Sequence, residues 1–345
     1  MTLQKLATTN AFVVIDLDDA EAATGVVRCA PKILQGGAGE LARSLTYSFA
    51  SFEMPRSGAS AGINATDEDR SAAIAAFVEE LSPRVADGSL AIDPAKGVTD
   101  DDLAPLRAVD GRSAVRWADV DGLPLRDHLA GIGPVAAAAS ALGGLEGKTV
   151  TVEGLGASSP ALLRALAERG AAVIGVSAGA SSVIDPAGLD VTAAIEAWNA
   201  HGDELAAHLG EAQPAWKLNA TAADVMFVGS RMGVIDHKNA PKLEVGALVP
   251  HGPLPYTTFA LLALQRAGTV VLPDFVGLAA PLLGDVADPS AAPEAVAADA
   301  VGAIERVIDE VRGHGEGPVM GACLRAEAFL RTWRDELPFG RPLAS

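Results

Sequence analysis

Apolar positions along the chain fall into short β-branched runs and longer stretches of helical spacing. Ala11 to Leu17 (AFVVIDL) ends in a cluster of acids and reads as a strand, and Gly25 to Cys29 reads as a second. From Gly39 to Ser51 the spacing becomes helical, with Leu41, Leu45 and Phe49 on one face, and Ser71 to Leu81 is a further amphipathic helix. Between these helices, Arg56 to Asn64 is rich in Gly, Ser and Ala, which predicts a loop entering another strand. Asp87 to Trp117 carries many acids and little periodicity.

The second half is more regular. Pro134 to Leu142 predicts a helix that Gly143-Gly144 stops. Lys148 to Glu153 (KTVTVE) reads as a strand, Gly154 to Ser159 as a turn, Pro160 to Arg169 as a helix closed by Gly170, and Ala172 to Ser177 as the next strand. That order is a βαβ unit of a parallel sheet. Asp224 to Val228, Ala247 to Val249 and Thr269 to Leu272 are further strand candidates, with helices at Asn239 to Leu243 and Tyr256 to Ala267. Ala298 to Arg312 and Gly321 to Glu336 predict C-terminal helices, and Asp285 to Pro293 a linker. At 345 residues the chain exceeds what one core usually organises, so two α/β domains are expected.

Composition narrows the partners. Forty-four acidic against 26 basic residues leave a net charge of −18, which repels phosphate backbones and anionic headgroups. Nucleic acid and membrane are therefore not expected as partners, and no run approaches the ~20 apolar residues of a membrane span. The N-terminus leads into no apolar h-region. With two distant cysteines, Cys29 and Cys323, this points to a cytoplasmic protein. No CxxC or HExxH spacing is present, so no metal is expected.

The clearest chemistry lies at Gly154-Leu155-Gly156-Ala157-Ser158-Ser159-Pro160. Glycines directly after a strand let the backbone turn tightly against a pyrophosphate, and the next helix offers free N–H groups and its positive dipole end. Ser158 or Ser159 can cap that helix, and Pro160 suits its first turn. Ser159 stands at the third glycine position of the fingerprint. At the end of the second strand, where an acid should grip the adenosine ribose, the chain has Ser177-Ala178-Gly179-Ala180. Gly154, Gly156, Ala157, Ser158, Ser159, Ser177 and Ala178 are thus the expected contacts for NAD or NADP.

Leu145-Glu146-Gly147-Lys148-Thr149-Val150 leading into this turn resembles the Rossmann domain of the glutamate/leucine/phenylalanine/valine dehydrogenase family. Asp185-Pro186-Ala187-Gly188-Leu189-Asp190, Val271-Leu272-Pro273-Asp274, Gly25-Val26-Val27-Arg28 and Leu45-Thr46-Tyr47 are similar to further family segments in the same order. The resemblance implies an N-terminal α/β substrate and oligomerisation domain over 1–133 and a C-terminal Rossmann-type dinucleotide-binding domain over 134–284. Helices over 285–345 would pack back toward the first domain. It further implies NAD(P)-linked oxidation of an amino-acid-like small molecule, and a homo-oligomer is expected.

The family's catalytic positions are replaced. Ser48 stands where a lysine holds the substrate carboxylate, and Ser60, in Ser57-Gly58-Ala59-Ser60-Ala61-Gly62, where a catalytic lysine stands. The catalytic aspartate aligns near Ala95, with Asp93 an alternative register; asparagines are replaced by His251 and Leu278. Serine neither titrates near neutral pH nor carries a positive charge, so ordinary L-amino-acid deamination is not expected. A rearranged site would draw on His251, Ser60, Asp274 and Arg56, with Ser48 and Ser60 meeting substrate. His251 and the Ser57–Gly62 segment would face each other across the interdomain cleft. Set against these roles are a structural histidine, an exposed loop arginine and strand-end carboxylates. Three functions stay open: an unusual NAD(P)-linked amino, imino or keto oxidoreductase, a non-redox enzyme on the same scaffold, and a non-catalytic homologue.

Overall fold

Small residues govern how closely the first sheet meets its covering helix. In the computed structural model, which describes residues 1–344, β1 (Thr2–Lys5), β2 (Ala11–Ile15), β3 (Ala23–Ala30), β4 (Ser57–Asn64) and β5 (Leu90–Pro94) form one sheet. Its order is β1-β2-β4-β3-β5, with β3 parallel to both β4 and β5 and the β1–β2 and β2–β4 pairs antiparallel. Helix α1 (Gln35–Ser51) lies on one face, where Phe12 and Val14 pack with Ala38 and Ala42. Helix α2 (Arg70–Ala86) covers the other, where Val27, Ala61 and Ile63 pack with Ile74, Phe77 and Leu81. The short α3 (Ala104–Arg107) follows β5.

Ser57–Gly62, expected as a loop, is instead the first part of β4, and all six residues are buried. A Cβ added at Gly58 would lie 1.9 Å from the carbonyl oxygen of Ala42, so only glycine lets α1 rest on the strand. Residues chosen for close approach carry little hydrophobic signal, which is why this central strand reads as a loop.

A second unit begins at Ser113, with a two-stranded hairpin of β6 (Asp119–Val120) and β7 (Leu123–Pro124) leading into α4 (Leu125–Leu142). Then come β8 (Thr149–Glu153), α5 (Ser159–Glu168), β9 (Ala172–Ala178), β10 (Ser181–Ile184), α6 (Val191–His201), α7 (Ala206–Leu209) and β11 (Gln213–Pro214). β12 (Ala223–Val228), β13 (Val245–Pro250), α8 (Thr258–Arg266) and β14 (Val270–Val271) complete the sheet. Its order is β11-β10-β9-β8-β12-β13-β14, parallel from β9 through β14 and antiparallel at the β10 and β11 edge. Helices α9 (Asp274–Gly277), α10 (Ala280–Asp285), α11 (Pro293–Val311) and α12 (Pro318–Leu330) follow.

Two expectations change here. Helix α4 starts at Leu125 rather than Pro134, and carries Pro134 inside it. Gly131 and Gly133 bring it so close to its neighbours that a Cβ would lie 2.5 Å from the Ser158 carbonyl and 2.4 Å from that of Gly277. Packing of this kind offsets the amide bond that an interior proline removes. The division of the chain also moves: one unit is Met1–Arg112 with Arg325–Pro342, and the other runs from Ser113 to Leu324 and takes Leu343 and Ala344. The boundary therefore falls at Arg112/Ser113 rather than after 133, and α11 belongs with the second unit rather than the first.

Candidate nucleotide and substrate sites

From β8 the chain moves to β9 on one side and returns to β12 on the other, so the carboxyl ends of β8 and β12 mark the switch point of the sheet. Open α/β sheets bind ligands at that point. Gly154 sits there with φ +85°, and a Cβ on it would lie 2.4 Å from the Cβ of Ser230, just past β12. Its N–H donates to the Ser177 carbonyl and hydroxyl, both at 3.1 Å, and Leu155 N–H donates to the same carbonyl at 2.8 Å. Gly156 N–H donates to Ser159 Oγ at 2.7 Å. A Cβ on Gly156 would meet nothing within 4 Å, so the backbone is open there. Helix α5 opens onto that space, and the N-cap residue Ser158 makes no side-chain cap bond. Phosphate oxygens fit such an end, where amides are unsatisfied and the dipole is positive.

The end of β9 is built differently from expectation. Ser177 is buried with its hydroxyl committed to Gly154, and Ala178 is 1% exposed. The strand does not stop there but turns back at Gly179 (φ +53°) into the antiparallel β10. The carboxylate beside this hairpin is Asp203, exposed on the 3-10 turn that follows α6; a Cβ on Gly179 would lie 3.0 Å from its Cβ. Nothing in the local sequence pattern singles out Asp203, because the hairpin that brings it to Gly179 was not legible.

Glu153 is another group that sequence reasoning passed over. Its carboxylate accepts from Gly229 N–H and Ser230 N–H, each at 3.1 Å, and ties the ends of β8 and β12 together. His251, just past β13, lies on the same edge, with Nε2 2.8 Å from the Glu153 carbonyl oxygen. Burial pulls the imidazole below its ordinary range, partly offset by that carbonyl and by the Glu153 charge. The ring is therefore neutral at pH 7, a hydrogen-bonding group. Asp274 is 1% exposed and accepts from Leu254 N–H at 2.9 Å. Leu254 has φ +49°, a conformation unusual for its side chain, so Asp274 serves to hold the 251–256 loop. Tyr256, in that loop, donates to the Leu272 carbonyl at 2.9 Å.

In the first unit, Ser48 is buried in α1 and donates to the Ser44 carbonyl four residues back at 3.2 Å. Ser60 is fully buried in β4, and its Oγ has no partner. Arg56 is half-buried and stands ahead of β4, four residues from Ser60 and so ~13 Å away along an extended strand. Asp93 on β5 is held by the Arg112 guanidinium at 2.8 and 2.9 Å. Among the described residues there is no cluster of three or more His, Cys, Asp or Glu groups able to hold a metal, and no helix long and apolar enough to cross a membrane.

With this geometry in view, residues 122–279 match the sequence model of the Glutamate/Leucine/Phenylalanine/Valine dehydrogenase family. The similarity to this family lies within the second unit. An NADP-specific glutamate dehydrogenase of Saccharolobus shibatae is 29% identical over 171 residues, covering 48% of this chain and 40% of the relative. The match thus spans about two-fifths of that relative's length. Among solved structures, the hetero-hexameric glutamate dehydrogenase of Thermus thermophilus (Leu bound form) superposes with TM-score 0.78 and 22% identity, covering 92% of this chain and 83% of the other. The L-tryptophan dehydrogenase of Nostoc punctiforme gives 0.64 and 18% identity, covering 96% and 95%. At these identities the structures establish the fold of nearly the whole chain: a two-domain α/β architecture with a Rossmann-type unit.

Proposed function

We propose that the chain is an NAD(P)-linked oxidoreductase of the amino-acid dehydrogenase type whose site has been rebuilt for an unusual amino, imino or keto acid. The observation that carries this reading is the glycine turn at the switch point: Gly154 at φ +85°, open backbone at Gly156, and the N-terminus of α5 beyond it. A bound nicotinamide dinucleotide supplies the hydride chemistry. The protein's part is to hold its pyrophosphate on the Ala157 and Ser158 N–H groups and its ribose hydroxyls on Asp203, in place of the acid missing at Ala178. An exposed carboxylate there repels a 2′-phosphate, which favours NAD over NADP. Neutral His251, fixed on the Glu153 carbonyl, is suited to orient a polar group by hydrogen bonding. A cytoplasmic homo-oligomer is part of the same reading.

Ser48 and Ser60 argue against the family's ordinary substrates, since a helix-bound hydroxyl and a buried one with no base beside it replace two positive charges. With NAD or NADP at alkaline pH, glutamate, leucine, phenylalanine and valine are expected to give no reduced cofactor at the ~1–10³ s⁻¹ of working enzymes. At least one other amino acid in a full L- and D-panel should be oxidised. Turnover of the four family substrates would contradict the rebuilt site. Silence across the whole panel would favour a non-catalytic homologue.

A further inference from the structure

Arg28 is a half-buried cation with one guanidinium edge that the fold leaves unmatched. The register of the parallel pair β3–β4 sets Val26 beside Ser60 and Arg28 beside Gly62. Alternation along the strands puts all four on one face of the sheet. A Cβ at Gly62 would touch the Phe12 ring and Ile33, so this is the face that carries α1, opposite the α2 core. On it, Arg28 Nε and Nη2 are buried with no hydrogen-bond partner, and so is Ser60 Oγ. Two other arginines of this unit are clamped: Arg43 Nε and Nη2 by the Asp16 carboxylate, and Arg112 by Asp93 and Asp110. Asp93, register-paired with Val26 on the far side of β3, is already engaged by Arg112 and does not serve Arg28.

Buried donors without acceptors are rare in native proteins and ask for an explanation. Burial also pulls the Arg28 guanidinium below its ordinary range, with no carboxylate offsetting it. Nε–H and Nη2–H form one edge of the guanidinium fork, the edge that meets the two oxygens of a carboxylate in parallel.

We infer that Arg28 and Ser60 form a carboxylate-binding subsite on this face, the guanidinium edge taking both carboxylate oxygens and Ser60 Oγ–H donating to one of them. The subsite replaces, by a different strand, the positive charges missing at positions 48 and 60. It rests on the proposed function only in taking the ligand to be a small organic acid.

Calorimetric and thermal-shift titration of the intact chain, without dinucleotide, tests it with acetate, pyruvate, succinate, uncharged methyl pyruvate and inorganic phosphate. At least one of the three carboxylates should bind the wild-type protein, and methyl pyruvate should not. Arg28→Leu should weaken that carboxylate by roughly 10- to 100-fold, and Ser60→Ala by a smaller factor. Both unliganded variants should melt no lower than wild type, since each removes a buried polar group that has no partner. No carboxylate binding, equal binding by Arg28→Leu, phosphate preferred over every carboxylate, or an unliganded Arg28→Leu that melts well below wild type would overturn the subsite. None of these outcomes touches the dinucleotide reading, which is measured separately.

Discussion

Replacing Asp16 with alanine is expected to cost about 3–5 kcal/mol of stability, the usual consequence of stripping one partner from a buried ion pair. The Asp16 side chain is wholly inaccessible and that of Arg43 is 7% exposed, and they meet through Nε and Nη2 at 2.6–2.9 Å. Arg43 also donates to the carbonyls of Phe339 and Gly340, so it fastens the C-terminal segment of the first unit to β2 and α1. Without Asp16, a guanidinium stays buried among carbonyls alone. Proteins of this kind hold only ~5–15 kcal/mol in total, so the melting temperature should fall by on the order of 10 °C. Asp19→Ala is the control: its pair with Arg334 has a carboxylate 55% exposed, and exposed pairs contribute ~0–1 kcal/mol. Equal melting of the two variants would mean that the Asp16–Arg43 pair does not hold the unit together.

The second large effect is expected from Gly58→Ala. The new methyl would lie 1.9 Å from the Ala42 carbonyl oxygen and 2.7 Å from both the Leu45 Cβ and the Thr46 nitrogen. Two of those three atoms are backbone, so no rotamer relieves the clash and α1 must lift from β4. Lifting it also breaks the bond from Gly58 N–H to Thr46 Oγ1, 2.9 Å long. A loss of about 3 kcal/mol or more is expected in urea unfolding. Gly36→Ala, in the first turn of α1 with nothing within 4 Å, should be neutral or slightly stabilising. A tolerated Gly58→Ala would mean that the Ser57–Gly62 segment is not a packed strand.

These two sites also mark where the sequence was informative and where it was not. The β8–turn–α5–β9 unit was legible because its apolar run, paired glycines and helical spacing act locally, and each agreed with the others. The helical faces of α1 and α2 were legible for the same reason. Strand β4 was not, since its pattern answers to a helix backbone arriving from elsewhere in the chain. The first turns of α4 were missed because Pro134 reads as a helix start when only local rules are applied. At the end of β9, Ala178 in place of the fingerprint's acid was legible directly from the sequence. Asp203 could not be seen beside it without the β9–β10 hairpin. Arg28 was visible as part of Gly25-Val26-Val27-Arg28, but its lack of a partner is a property of the packed sheet.

The most direct measurement is a calorimetric titration of the intact chain with NAD, NADH, NADP and NADPH, repeated on Asp203→Ala. The expected result is binding of at least NAD or NADH, stronger than the phosphorylated pair. Asp203 is exposed, so its replacement should leave the fold intact while weakening binding by roughly 10- to 100-fold. No heat and no thermal shift with any of the four would contradict dinucleotide binding at the Gly154–Ser159 turn.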